Sequence, residues 1–292
     1  LRLINIKPGF NKQVTESGAE GQWIDGDNVR FRYGLPEKIG GWQALVNQTL
    51  AGAARAQHTF TDLDGRRYAA IGTNKVLIIY YEGNFYDITP LDDDLAQVGC
   101  DITTVLTSDI VTITTPATHN LQVGDLVTFE NAGSFSGTSY TATDFDDVVF
   151  EVQTVPTTDT FTIQMPSAES TGPVTNNGTL DVLPYFQIGP NLETYGYGWG
   201  VSTWGSSTWG TARATTSVTL EAGSWSLDNY GQKLIATIQN GKTFEWDPLN
   251  VSGTALETRA TVLATNPTAS IFTLVSDRDR HLFHFGTETT IG

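Results

Sequence analysis

Cysteine occurs once in the 292 residues, at Cys100, so neither an intramolecular disulfide nor a multi-cysteine zinc site can form. Charged residues are also scarce, at 16% against about 25% in an average soluble domain. None of the 16 lysines and arginines falls between Lys75 and Arg213, whereas 17 of the 32 acids do. The remainder is nearly balanced, so the formal charge of −16 belongs to one stretch of chain. Binding nucleic acid through its phosphates requires a surplus of cations, which this composition withholds. No apolar run approaches the roughly 18 residues of a membrane-spanning helix, and Leu-Arg-Leu-Ile-Asn-Ile lacks the apolar core of a signal peptide. The first residue is Leu1 and the last ones, Phe285 to Gly292, stop in a strand pattern, so the natural chain is expected to continue.

What is present is β-forming sequence. Short apolar runs rich in β-branched and aromatic residues recur at Tyr68–Ile71, Val76–Tyr81, Ile110–Thr114, Leu126–Phe129, Phe161–Met165 and Leu234–Ile238. Gly-Asp, Asp-Gly and Asn-Gly turns punctuate them. No window of about 12 residues carries a helical apolar stripe. The chain is therefore expected to be all-β.

Three segments share a plan. Asp64–Lys75, Tyr230–Lys242 and Asp277–Thr287 each join a polar strand, a charged turn, an apolar strand and a glycine turn. Aromatic strand ends follow, at Asn84-Phe85-Tyr86-Asp87 and Phe244-Glu245-Trp246-Asp247-Pro248. Units of three or four short antiparallel strands, repeating every 40 to 50 residues or about that, are propeller blades. Leu234 and Leu282 lie 48 residues apart, which fits; Tyr68 and Leu234 lie 166 apart. Subtracting an insertion of roughly 80 residues leaves room there for about two blades. Fewer blades than closure needs would leave open sheet edges, to be completed by further chain or by another subunit.

The lysine- and arginine-free stretch supplies the insertion. Residues 101–181 contain 19 threonines and short strands around Ile110, Leu126, Val148 and Phe161, the pattern of a small sandwich or barrel. The expected division is 1–100 for an N-terminal segment and first blade, 101–181 for the acidic module, and 182–292 for a crossing segment and further blades. A calcium site at Asp144, Asp146 and Asp147 is weaker than a reading as solvated loop acids, because the EF-hand glycine and distal glutamate are missing.

The tract Tyr195–Gly210 places Trp199-Gly200, Trp204-Gly205 and Trp209-Gly210 at five-residue intervals. Such indoles could stack on sugars, but an ordered segment packing onto a propeller face or a neighbouring subunit is the stronger reading.

Gln22–Trp42 within the stretch Asn5–Trp42 resembles the opening of structural proteins of tailed bacteriophages. The Tyr-Gly-Trp-Gly tract, with Trp225–Gly231 and the strand to Trp246-Asp247-Pro248, is similar to the middle of the same proteins. The resemblance implies a propeller-bearing tail nozzle, a virion component forming a homo-oligomeric, hexameric ring beneath portal and adaptor, near the fibres, through which genomic DNA passes without specific binding. It implies no cofactor and no membrane segment. On that reading Trp199, Trp204 and Trp209 with Arg30, Arg32 and Lys38 are candidate ring contacts. Asp92, Asp93, Asp94, Asp144, Asp146 and Asp147 form a candidate DNA-repelling surface.

An enzyme is the opposing class. Asp92-Asp93-Asp94 and Asp146-Asp147 are sequence neighbours, which point to opposite faces of a strand and make poor acid–base pairs. His281 and His284 are separated in the same way. No nucleophile elbow, Walker loop or His-Glu-x-x-His run occurs, so catalysis is not expected. The remaining class is a receptor- or glycan-binding tail module using the Trp/Gly tract. It predicts that replacing Trp204 and Trp209 abolishes host binding and leaves assembly intact.

Overall fold

Alternation of inward apolar and outward polar residues produces strands throughout the computed structural model. It describes residues 6–41, 43–44, 46–133, 135–193, 221–248, 256, 258–276 and 278–287, with only the backbone of 176–179. Among these residues there is no α-helix, and the fold is all-β. The chain divides into two units, 1–47 and 48–292.

In the first unit, β1 (Lys7–Phe10) pairs in parallel with β2 (Gln22–Trp23), and β3 (Val29–Arg32) forms a hairpin with β4 (Leu35–Lys38). Tyr33 and Gly34 both adopt positive φ at the hairpin tip, 50° and 83°, the requirement of a two-residue turn matched to strand twist. Phe10 and Trp23 pack on Phe31 at ring separations of 5.2 and 6.2 Å.

The second unit is a partial β-propeller carrying an insert. Its first sheet orders β5 (Ala54–Thr61), β6 (Arg67–Thr73), β7 (Leu77–Tyr81) and β8 (Asn84–Asp87) as an antiparallel meander. Its second repeats the plan with β16 (Trp225–Tyr230), β17 (Lys233–Ile238), β18 (Thr243–Trp246) and β19 (Thr261–Val262). A hairpin of β20 (Phe272–Ser276) and β21 (His281–Phe285) begins the plan a third time.

The first two sheets meet face to face over a shared core. Phe60, Tyr68, Leu77 and Ile79 of one sheet lie against Trp225, Leu234, Phe244 and Trp246 of the other. Trp225 sits directly on Gly72, where an added Cβ would come within 2.5 Å of the indole, and its Nε1–H donates to the Thr73 carbonyl at 2.9 Å. This direct packing corrects the expectation of about two intervening blades. Among the described residues no further four-stranded sheet stands between β8 and β16, and the inserted sheet itself occupies Gln97 to Pro184.

That inserted sheet has seven strands, ordered β12-β11-β15-β9-β10-β14-β13. They are β9 (Gln97–Thr103), β10 (Ile110–Thr114), β11 (Leu126–Glu130), β12 (Phe150–Glu151), β13 (Thr154–Thr157), β14 (Thr160–Gln164) and β15 (Thr175–Pro184). Its two outermost strands, β12 and β13, are joined by only Val152 and Gln153. Connectivity alone therefore curls the sheet until its edges approach, wrapping a core that includes Val111, Phe129, Phe145, Phe161 and Leu180. First and last strands, β9 and β15, are paired neighbours, and the pairing continues below them through Leu91 and Tyr185.

Two buried groups inside the insert give testable consequences. Glu169 is 1% exposed; its carboxylate accepts from the backbone N–H of Ser139 and Thr171, each at 2.8 Å, and from the Thr138 hydroxyl. Burial acts to raise its pKa, but these hydrogen bonds outweigh burial and hold it at about 2, below the ordinary 4.5. A depressed folded pKa gives stability that is present above pH 4.5 and lost as pH falls toward 2. Glu169→Ala is expected to cost about 2–3 kcal/mol at neutral pH and to flatten the acid limb of the stability profile, read by denaturant titration from pH 7 downward. Cys100 lies beside β15, 1% exposed, and burial followed by the Asp181 carboxylate pushes its thiol up to about 12. The thiolate is the reactive form, so iodoacetamide is expected to leave Cys100 unmodified in the folded protein and to alkylate it after unfolding, as read by intact mass.

Candidate assembly surface

Each sheet of the stack uses its two faces differently. The second sheet turns Trp225, Ala236 and Phe244 toward the first sheet and its alternate residues toward the β20–β21 hairpin. On that side the Ser226 hydroxyl donates to the Thr273 carbonyl at 3.0 Å, and Asp228 accepts from the Val275 N–H at 2.7 Å. Thr237 and Thr273 hydroxyls meet at 2.8 Å. These polar clamps fix which face of the hairpin looks inward.

The other face looks outward and is apolar. Register pairs Phe272 with Phe285 and Leu274 with Phe283, so the four side chains share one surface. They are 45%, 40%, 50% and 47% exposed. Phe272 and Phe285 stack at 4.4 Å and 7°, with Phe283 next in line at 6.4 Å. The sequence plan of the third unit predicts a blade and leaves this face unassigned. The signal was there: His281–Phe285 has large side chains on both faces, the pattern of a strand covered on both sides.

The candidate residues named from the sequence are dispersed. Trp199, Trp204 and Trp209 lie outside the described residues. In β3 and β4, Arg30 lies opposite Glu37 and bonds it at 3.2 Å. Arg32 shares that face and stands over the Tyr33 ring at 5.4 Å. Lys38 pairs with Val29 and so points from the opposite face. The three cations therefore do not form one patch.

The acids divide likewise. Asp92–Asp94 sit in the connection into β9. The Asp92 N–H bonds the Pro184 carbonyl at 2.8 Å, Asp93 is exposed, and Asp94 pairs with Lys242 at 3.1 Å. Burial raises the Asp92 carboxyl above its ordinary range. Asp144 instead closes a capping box with Thr141 on a 3-10 turn over Ala142–Asp144. Asp146 accepts from the Ala132 N–H at 2.8 Å, and Asp147 occupies a positive-φ turn position. Asp144 and Asp146 thus have local structural work. No group of three or more His, Cys, Asp or Glu that could hold a metal ion occurs among the described residues. His281 and His284 lie on opposite faces of β21, with His284 Nδ1 at 2.9 Å from the Ser270 hydroxyl.

A polar hub ties the sheet stack to the insert. The Tyr185 hydroxyl donates to Asp87 at 2.7 Å and accepts from Arg259 at 2.6 Å, while the Arg259 guanidinium also bonds Asp87 at 3.1 Å and the Thr89 carbonyl at 3.0 Å. That guanidinium lies over the Tyr185 ring at 4.5 Å. Burial, reinforced by Asp87, pushes the Tyr185 phenol well above its usual range.

The class defined by these features is an all-β protein built on a partial propeller with an inserted, curled β-sheet. No protein-family model matches the chain, and no curated protein matches it. Among solved structures the chain is similar to the phage phi92 endosialidase at 17% identity and a TM-score of 0.26. That likeness covers 83% of this chain and 35% of the other.

Proposed function

We propose that this protein is a structural component of a bacteriophage virion tail, arranged as a nozzle-like ring beneath the portal and adaptor and serving as a conduit for the genome. The observation that carries the assembly role is the outward aromatic face of β20–β21. The first two sheets bury apolar faces against each other, whereas the outward face of β20–β21 is covered by no described residue. Contiguous exposed apolar surface of this kind marks a protein contact, and a ring closes through heterologous contacts between unlike faces. The resemblance of Asn5–Trp42 and of the Trp/Gly tract to tail proteins supplies the phage context. The cation-free stretch suits a conduit, because each neutralised phosphate would add binding that slows DNA. Catalysis has no part in this reading.

Phe283→Asp combined with Phe285→Asp is expected to leave the protein folded but unable to enter particles, giving virions that are tailless or leak DNA. Imaging of the assembled particle should place the wild-type chain on the tail axis. Location at a fibre tip, or normal particles from the double variant, would overturn the proposal. The receptor- or glycan-binding alternative through Trp199, Trp204 and Trp209 rests on residues outside those described.

A further inference from the structure

A cleft of about 580 Å3 opens within the second unit, away from the β20–β21 face. Its walls are the insert turn Gln122–Leu126, the segment Tyr185–Asn191 that leaves the insert, and the strand connections at Asn74–Lys75 and Ile238–Gly241. The volume falls in the range of about 300–1,000 Å3 typical of small-ligand sites, which also favour the junction between two folded parts. The walls are tied down. Lys75 pairs with Glu151 of the insert at 2.9 Å, and Arg55 holds the Gly223 carbonyl at 2.8 Å together with the Asn191 carbonyl.

The polar lining has an unusual composition. Six residues with side-chain amides line the cleft: Asn74, Gln187, Asn191 and Gln239 bond the Ala53 N–H, Asp125, Arg55 and Glu221, while Gln122 and Asn240 are exposed at its rim. Lys75 and Asp125 are the charged lining residues, and both are engaged. Lys75 has its Glu151 partner, while Asp125 accepts from the Gln122 N–H and from Gln187 Nε2, each at 2.7 Å. Burial raises the Asp125 carboxyl above its ordinary range. No arginine is among the lining residues. An anionic ligand would lose water here and meet only a cation already paired, which disfavours it.

An amide both donates and accepts, as does each hydroxyl of a sugar. Val123, 66% exposed, supplies the main apolar surface of the lining for C–H faces, with the edges of the core residues Ile188 and Ile238 behind it. We propose that this cleft binds an uncharged saccharide of one or two rings. The proposal does not depend on the tail-assembly reading, since the aromatic face and the cleft share no residue.

Saturation-transfer NMR on the full chain tests it, using glucose, galactose, mannose, N-acetylglucosamine, maltose, lactose and cellobiose, with sialyllactose and glucose 6-phosphate as acidic probes. Transfer to at least one neutral sugar is expected, with dissociation constants near about 1 mM. Gln122→Ala combined with Asn240→Ala removes two exposed amides and should weaken that binding about tenfold, with the melting transition unchanged. A variant that melts early is replaced by Gln122→Glu with Asn240→Asp, which keeps the shape and adds charge, and the same weakening is expected. No transfer from any neutral sugar, undiminished transfer in both variants, or preference for the acidic probes would overturn the proposal.

Discussion

Trp225→Ala is expected to destabilise the second unit by about 3–5 kcal/mol, the range for removing a large buried aromatic. The indole is 5% exposed and sits where the first two sheets meet. It rests on Gly72, packs its ring against Phe244 at 6.1 Å and bonds the Thr73 carbonyl. Truncation would remove the apolar burial, leave a cavity between two sheets that cannot collapse independently, and orphan that carbonyl. The reverse experiment isolates geometry from burial. Gly72→Ala adds one methyl group aimed at the indole, 2.5 Å from its Cδ1, and should cost about 1–3 kcal/mol by forcing the tryptophan to move. Trp225→Phe retains most of the packing and loses the hydrogen bond, for about 1 kcal/mol. Urea unfolding followed by tryptophan fluorescence would rank the three. A loss below about 1 kcal/mol for Trp225→Ala would mean that the two sheets do not share their core.

Arg259→Ala is the second large effect, expected at about 2 kcal/mol, since the pair with Asp87 is half-buried and the guanidinium makes three hydrogen bonds. Removing the guanidinium leaves Asp87 without its cation and the Thr89 carbonyl and Tyr185 hydroxyl each short of a donor. Arg259→Lys should recover little, because a point-like ammonium cannot reach three acceptors from one plane or stack on the Tyr185 ring. Removing both charges, with Arg259→Met and Asp87→Asn, is expected to cost less than the sum of the single losses. The penalty of leaving one half-buried charge without its partner disappears when both go. A strictly additive cycle would show that the two side chains act independently.

The strands themselves were legible in the sequence. Ile110–Thr114 became β10 with the same bounds, and the runs at Tyr68, Leu126, Phe161 and Leu234 became β6, β11, β14 and β17. Period-2 alternation is a local property, so local sequence reports it. The recurrence of hairpins at Asp64, Tyr230 and Asp277 was legible for the same reason. Which sheets would touch was not. The first two sheets meet where Trp225 sits on Gly72, and the inserted strands at Gln97–Thr103 and Thr175–Pro184 likewise pair across a separation that no window covers. Val148–Val152 shows the same limit: its apolar run promised a full strand, yet only Phe150–Glu151 pairs, because the chain crosses there from one edge of the curled sheet to the other. The cleft was invisible for a related reason. Its amides come from four stretches that only the tertiary fold assembles.

The paired β9 and β15 have a consequence for how such a chain can change over time. Because the pairing is carried down to Leu91 and Tyr185, the insert leaves and rejoins the propeller one strand spacing apart, about 4.8 Å. A tight turn could bridge that gap, and so could a module several times longer. Lengthening the excursion costs only about 0.6 kcal/mol per doubling in closure entropy. The stem therefore behaves as a socket into which modules of different size and charge can be exchanged while the sheet stack keeps its register. Gln97–Pro184 holds 11 acids and no lysine or arginine, so most of the net charge of −16 would be an attribute of the cassette and would come or go with it.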